Sequence, residues 1–405
     1  MRDLFRFSRM WREPQELKDS YDVVIIGGGS HGLATAYYLA KNHGVTDICI
    51  LEKNYIGAGA SGRNTTILRS NYKTPEGARF YDQSVKLYEH LSQDLDFNLM
   101  FSQIGHLTLA HTDRAMFVMH ERAEVNRLEG IDTKVVDAAQ VQKMVPAMQV
   151  TEDAEYPIMG ALYHPPGGII RHDAVVWGYA RGADRGGAEI HQGCEVTDIH
   201  TEGDRVTGVT VNGSKRINAG QVLSATAGWS SILSDMVGME LPITTHILQA
   251  FVTEPVKPIL DKVIVSSQMH VYISQTDRGE FLIGSEIEPW TTYRMNGTLN
   301  FLQESTRHAL ELFPQLERTR MLRSWAGLCD LSPDYSPILG KTELEGFHVS
   351  TGWGTYGFKA APIVGVTLAE LIATGKTPDL IAPFAVERFY TDTLVSELGA
   401  AAVSH

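Results

Sequence analysis

The chain has 405 residues, 43% of them hydrophobic, and its 35 lysines and arginines against 48 aspartates and glutamates leave a formal net charge of -13. That length and apolar share support a sizeable core split between two domains, while the acidic balance excludes nucleic acid or an anionic membrane surface as the main partner, because both demand basic patches. Three scattered cysteines, Cys49, Cys194 and Cys329, exclude a disulfide framework or a structural zinc site and fit a reducing cytoplasm; no metal-ligand cluster is visible, and no stretch reaches the roughly 18 apolar residues of a membrane span.

Residues 1–20, "MRDLFRFSRMWREPQELKDS", lack the apolar centre and cleavage site of a secretion signal. They are expected to form a surface arm whose Phe5, Phe7 and Trp11 cover another subunit. Tyr21 to Ile26, "YDVVII", is a β-branched run suited to a buried parallel strand. It runs into "GGGSHG", a GxGxxG turn followed by the helical "LATAYYLAKNHG". Gly27, Gly29 and Gly32 serve a tight turn, close approach of backbone to a pyrophosphate, and close helix packing, and the helix N-terminus faces the diphosphate. A second strand, "TDICILEK", ends at Glu52, about twenty residues beyond Gly32, where a carboxylate accepts hydrogen bonds from a ribose and disfavours a 2'-phosphate. Strand, glycines, helix, strand and acid in that order specify a dinucleotide site.

Where a nicotinamide dehydrogenase would proceed to another strand and helix, this chain has the Gly/Ser-rich loop "NYIGAGASGRNTTILRSNY", which lets backbone approach a ligand and points to FAD. In "YHPPGGIIRHDAVVW", His172 precedes an apolar helix and reads either as an ordinary helix start capped by Asp173 or as an attachment point. The segment from Gly193 to Ser231 reads as strand, hairpin and strand, with Asn212-Gly213 at the turn. In "MHVYISQ", His270 and Tyr272 alternate with Val271 as on a half-buried strand. Cys329 reads as a small buried hydrophobe. "GFHVSTGWGTYGFKAAPIVGVTLAELIATG" gives a strand, a glycine turn and a helix whose N-terminus can approach a flavin ring or phosphate. Arg69 and Lys359, placed after the two glycine-rich loops, are cations able to hold a substrate carboxylate.

The stretches "GGGSHGLATAYYLAKNHG", "GRNTTILRSNY", "GGIIRHDAVVWGYARGA", "MHVYISQ", "GWGTYGFKAAP" and "LGAAAVSH" resemble the amino-acid-oxidase-like family of FAD-dependent oxidoreductases and, within it, the β subunits of heterotetrameric sarcosine oxidases. The resemblance spans nearly the whole chain. It implies an α/β fold: a Rossmann-type FAD-binding domain assembled from residues 21–103, 155–240 and 334–385, an α+β substrate domain with a mostly antiparallel sheet from 104–154 and 241–333, and a C-terminal tail at 386–405. It implies noncovalent FAD held by Gly27, Gly29, Gly32 and Glu52, with Arg63 and Asn64 nearby, Val196 at the adenine, and Gly354, Thr355 and Gly357 beside the ring. Arg69 and Lys359 match the carboxylate-binding pair, Thr66 a flavin-facing position, and His270 and Tyr272 a strand over the substrate. Single-chain relatives tether FAD to a cysteine at a position occupied here by Ala326 or Gly327.

The same resemblance implies a second flavin, FMN, attached covalently at His172, with Arg171 or Asp173 tuning the imidazole and Arg171 stabilising reduced flavin. Implied partners are α, γ and δ subunits. The implied reaction is oxidative demethylation of sarcosine to glycine, with formaldehyde or a folate-bound one-carbon unit and hydrogen peroxide, electrons passing from FAD to FMN. The alternative is a subunit of a proline or opine-type imino-acid dehydrogenase serving another carrier.

Overall fold

The computed structural model describes residues 10–12, 16–151 and 153–398; Phe5 and Phe7 of the arm and the terminal "GAAAVSH" lie outside them. Trp11 packs against the chain's own core beside helix Ser30–His43, and Arg12 pairs with Asp184 at 2.8 Å, so the described part of the arm turns inward.

The first sheet is built on Ser20–Ile26, which pairs in parallel with Ile48–Glu52 on one side and Lys215–Ser224 on the other. Glu189–Gln192 and Phe347–Thr351 extend it in parallel, and Ile338–Lys341, Arg205–Val211 and Val196–Glu202 add antiparallel strands. Its central strands are apolar on both sides because both faces are covered. Ile25 and Ile50 enter one core with Leu33 of the helix Ser30–His43, whereas Val24 and Cys49 enter the opposite one. Helix Ala361–Thr374 lies against Ser30–His43 so closely that a Cβ on Gly365 would meet the Ala34 Cβ at 2.7 Å.

The second sheet runs in the order Met321–Leu331, Thr244–Thr253, Phe281–Ile287, Val271–Gln275, Val263–Ser266, His106–Ala110, Gly160–His164 and Lys134–Asp137. Its neighbours are antiparallel except for Val263–Ser266 beside His106–Ala110. Gly160–His164, within the 155–240 segment, thus belongs to this sheet. Leu107, Leu109, Ile264, Ile273 and Ile283 face a core closed by Phe301 of helix Leu299–Leu312. The opposite face carries a cross-strand row in which Thr108 stands beside Val265, Val265 beside Tyr272, Tyr272 beside Gly284 and Gly284 beside Ala250. Side chains directly opposite one another share a face, so this row is the wall turned toward the first domain.

The described C-terminal segment is docked, not frayed. Arg388 forms a fork with Asp334, Nε to Oδ2 at 2.8 Å and Nη2 to Oδ1 at 2.9 Å, with side chains 2% and 0% exposed. Replacing Asp334 by alanine strands a buried guanidinium and is expected to cost about 3–5 kcal/mol, read as a lower denaturation midpoint. Glu397, also buried, accepts hydrogen bonds from the backbone N–H groups of Lys73 (3.0 Å) and Thr74 (2.9 Å). Thr74 in turn caps helix Pro75–Asp94.

Candidate active site

A cavity of about 610 Å³ lies between the two sheets, within the range of small-molecule sites. Of the residues singled out from the sequence, Gly27, Gly29, Glu52, Arg63, Asn64, Thr66, Arg69, Val196, Tyr272, Gly354, Thr355, Gly357 and Lys359 line it. Gly32 stands behind the lining, and His270, Arg171 and His172 lie elsewhere.

At one end the first strand stops and the chain turns at Gly27, whose φ of +111° disfavours any side chain. Helix Ser30–His43 begins after Gly29 with no side-chain cap from Gly29; the Ser30 N–H is taken by Ser61 Oγ (2.9 Å), and the amides that follow in the first turn have no carbonyl within the helix to bond and face an anion site. Glu52 is oriented by two backbone amides, Gly28 N–H on Oε2 (2.9 Å) and Asn54 N–H on Oε1 (2.8 Å), and a carboxylate retains further lone pairs for a ribose. These residues fit a dinucleotide: a helix N-terminus, a side-chain-free turn and an oriented acid surround one end of the cavity.

The middle is shaped by two loops. Arg63 reaches the Ala58 and Ala326 carbonyls (3.1 and 3.2 Å) while its own carbonyl accepts the Trp325 indole N–H (2.7 Å). Asn64 accepts the Thr66 N–H at 2.6 Å and holds Thr66 at a φ of 65°, a left-handed conformation uncommon outside glycine and a mark of functional loops. Opposite, Asp330 ties the second sheet to the glycine loop. Its Oδ2 accepts from the Thr351 hydroxyl (2.8 Å) and Gly352 N–H (2.5 Å), and its carbonyl accepts Gly354 N–H (2.7 Å); burial pushes its carboxyl up to about 6. His31, half-buried beside Trp353, bridges the Ser350 hydroxyl (3.0 Å) and the Gly357 carbonyl (2.8 Å). Burial lowers it to about 4, so it is a neutral strut between the two glycine loops. Cys329 lines the cavity with its thiol pushed up by burial.

The far end is cationic. Arg69 is 5% exposed, with Nη1 donating to Asn71 Oδ1 (2.9 Å) and its guanidinium over the Tyr72 ring (4.5 Å). Lys359 is 8% exposed; Nζ donates to the Thr355 carbonyl (3.1 Å), and its carbonyl is held by Ser84 (2.7 Å) while Tyr88 holds that of Phe358 (2.8 Å). Burial, reinforced by Arg69, drives the Lys359 ammonium well below its usual range. A third buried cation, Arg122 of helix Asp113–Leu128, donates through Nε to the Asn71 carbonyl at 2.5 Å, and burial with Arg69 lowers it to about 9. Such a concentration of buried positive charge suits an anion.

Two sequence expectations require correction. His270 is not on the strand face over the cavity: strand Val271–Gln275 starts one residue later and is buried throughout, and a φ of 47° at His270 breaks the alternation that would have aligned it with Tyr272. Its carbonyl instead accepts from the Ser285 hydroxyl (2.7 Å). Tyr272 does reach the cavity because Gly284 leaves room; a Cβ there would lie 2.0 Å from the Tyr272 ring. Asp173 is not the helix cap. Helix His172–Arg185 starts after Arg171 without a side-chain cap, and Asp173 pairs with Arg171 at 3.0 Å. His172 lies outside the cavity lining, its Nδ1 buried with no hydrogen-bond partner among the described residues. Burial lowers its basicity, Asp173 opposing that shift and Arg171 and Arg323 adding to it.

Sequence reasoning passed over His106, His31 and Arg122. The signal for His106 was the alternation in "GHLTLA", which sets His106 and Thr108 on one strand face and Leu107 and Leu109 on the other.

A Rossmann-type sheet carrying a glycine turn, joined to a mostly antiparallel sheet across a cavity with buried cations, defines a flavin-type oxidoreductase. The FAD dependent oxidoreductase family matches residues 22–371, and the chain belongs to that family. It is similar to sarcosine oxidase subunit beta of Arthrobacter sp (46% identity over 397 residues, 98% of this chain and 97% of that protein) and of Rhodobacter capsulatus (44% over 400 residues, 98% and 95%). Among solved structures it is similar to L-proline dehydrogenase from P. horikoshii, with 28% identity, a TM-score of 0.88, and coverage of 94% of this chain and 100% of that one.

Proposed function

We propose that this chain oxidises a secondary amino acid, with sarcosine as substrate, as the β subunit of an assembly with α, γ and δ partners. The observation that carries the proposal is the pair Arg69 and Lys359, both buried and both lining one end of the cavity, a clamp for a carboxylate beside an amine. When bound, FAD supplies the acceptor for two electrons, and FMN on His172 supplies the second redox centre leading to oxygen and peroxide. The protein's part is to orient the substrate and to keep its amine uncharged. The clamp's positive charge opposes protonation of the nearby nitrogen, leaving a lone pair to form the C=N bond as the N-methyl group gives up its electrons. Hydrolysis of that imine yields glycine and formaldehyde, or the one-carbon unit passes to folate.

The raised thiol of Cys329 is a poor nucleophile, which supports noncovalent FAD in the cradle of Gly27, Gly29, Gly32 and Glu52, with Arg63, Asn64 and Thr66 at the middle loop, Val196 at the adenine end, and Gly354, Thr355, Gly357 and Tyr272 toward the ring. Two features support FMN attachment at His172: a neutral imidazole is the nucleophilic form, and Arg171 and Arg323 are close enough to shift it and suit a phosphate. The exposed Trp177 on the same helix, and Met321 and Leu322 next to Arg323, support a partner surface there. Acid precipitation followed by mass spectrometry of the His172 peptide is expected to leave FMN on that peptide and release FAD; an unmodified peptide from the assembled complex defeats the attachment.

The likeness to L-proline dehydrogenase favours one competing substrate. Turnover of sarcosine, dimethylglycine and proline with peroxide detection separates the two. Sarcosine turnover with peroxide is expected, and proline turnover without it overturns the sarcosine assignment.

A further inference from the structure

His106 is 1% exposed, lines the cavity, and has neither ring nitrogen hydrogen-bonded within the described residues. Its neighbour across the sheet shows what a structural histidine looks like in this fold: His164 uses Nδ1 on the Asp132 carbonyl (2.9 Å) and Nε2 on the Ser70 N–H (3.2 Å). A buried imidazole left without partners is costly, since each unpaired polar group carries its full desolvation penalty. His106 is also backed into position, because the backbone of Gly167 passes so close that a Cβ there would meet the His106 Cβ at 2.7 Å. Burial comes first, then Arg69, His164, Arg122 and Lys359, in holding the ring well below its usual basicity. It therefore stands as a neutral group with one N–H donor within reach of the same positive field that surrounds the clamp.

We propose that His106 is a substrate-binding residue that donates its ring N–H to the substrate carboxylate, completing a three-point recognition with Arg69 and Lys359. This rests on the reading of the cavity as the site of amino-acid oxidation. The role suits a neutral donor: a third full cation beside Arg69 and Lys359 would be disfavoured by like charge, whereas an imidazole N–H adds direction and selects a carboxylate by shape.

The test is titration calorimetry of the FAD-loaded holoenzyme with methoxyacetate, the oxygen isostere of sarcosine, and tetrahydrofuran-2-carboxylate, the oxygen isostere of proline. Neither probe has an amine. His106→Met is expected to weaken binding about tenfold or more, as for loss of a hydrogen bond to a charged group, at unchanged flavin content. His106→Gln, which restores a donor, is expected to recover most of the loss. Should the methionine variant fail to retain flavin, His106→Asn carries the same expectation, because its shorter donor no longer reaches. Equal binding by parent and variant, with sarcosine turned over by the parent, overturns the role of His106 alone. If the parent turns over only proline and the variant loses binding of the proline isostere, His106 stands and sarcosine falls. If neither carboxylate binds the parent, both readings fall.

Discussion

Replacing Lys359 by methionine is expected to lower kcat/KM for sarcosine about 100-fold, by loss of a charge-assisted contact to the carboxylate, while leaving FAD bound. The side chain is of similar length, and although the Nζ bond to the Thr355 carbonyl is lost, the backbone anchors from Ser84 and Tyr88 remain to hold the loop. An unchanged rate would mean that the chain relays electrons and binds no amino acid. The substitution also carries a pH signature. In the free protein burial and Arg69 drive Lys359 well below the usual lysine value of 10.5, and a bound carboxylate raises it again. Carboxylate binding is therefore coupled to proton uptake. Affinity is full below the free-state pKa and declines, by up to about tenfold per pH unit, as pH rises from that value toward the higher one of the complex. Calorimetry with methoxyacetate in buffers of different ionisation enthalpy measures the uptake; in Lys359→Met it is expected to vanish.

What could be read from the sequence divides along the range of the interactions. The first sheet's opening was plain because Tyr21 to Glu52 carries its own information: a β-branched strand, a turn needing glycine, a helix and an acid succeed one another with no distant partner required. The cavity wall formed by Thr108, Val265, Tyr272 and Ala250 was not readable that way, since it depends on five strands meeting in register. His270 illustrates the limit. Alternation in "MHVYISQ" was a sound local signal, and a left-handed backbone at the first position, imposed by the turn from the preceding strand, defeated it. His106 illustrates the converse. Its strand pattern was visible, but its significance arises from Arg69, Arg122 and Lys359, each delivered by a different element. The proposed carboxylate clamp rests on resemblance more than on pattern, because Arg69 and Lys359 lie almost the whole chain apart.

The largest structural effect is expected from Gly32→Val, which should yield protein without flavin. An ideal Cβ at Gly32 lies 2.2 Å from the Gly27 carbonyl oxygen and 3.0 Å from Ile25 Cγ2. Neither can withdraw: Ile25 is in the central strand, paired to Ile50 and Leu223, and Gly27 already occupies φ +111° with its N–H committed to the Leu51 carbonyl at 2.8 Å. The helix must therefore move away from the turn, and its N-terminal amides leave the cavity end where a diphosphate would be held. Overpacking of this kind costs about 1–3 kcal/mol, and the displaced amides remove the anion site as well. Visible absorbance of the purified variant measures the flavin lost, and thermal denaturation the stability. Gly44→Asn at the other end of the same helix is the control. Gly44 has a φ of +67° and open space around it, and asparagine tolerates that conformation, so flavin should be retained. Flavin retained in Gly32→Val at the parent's level would show that the glycine turn does not set the cofactor's seat.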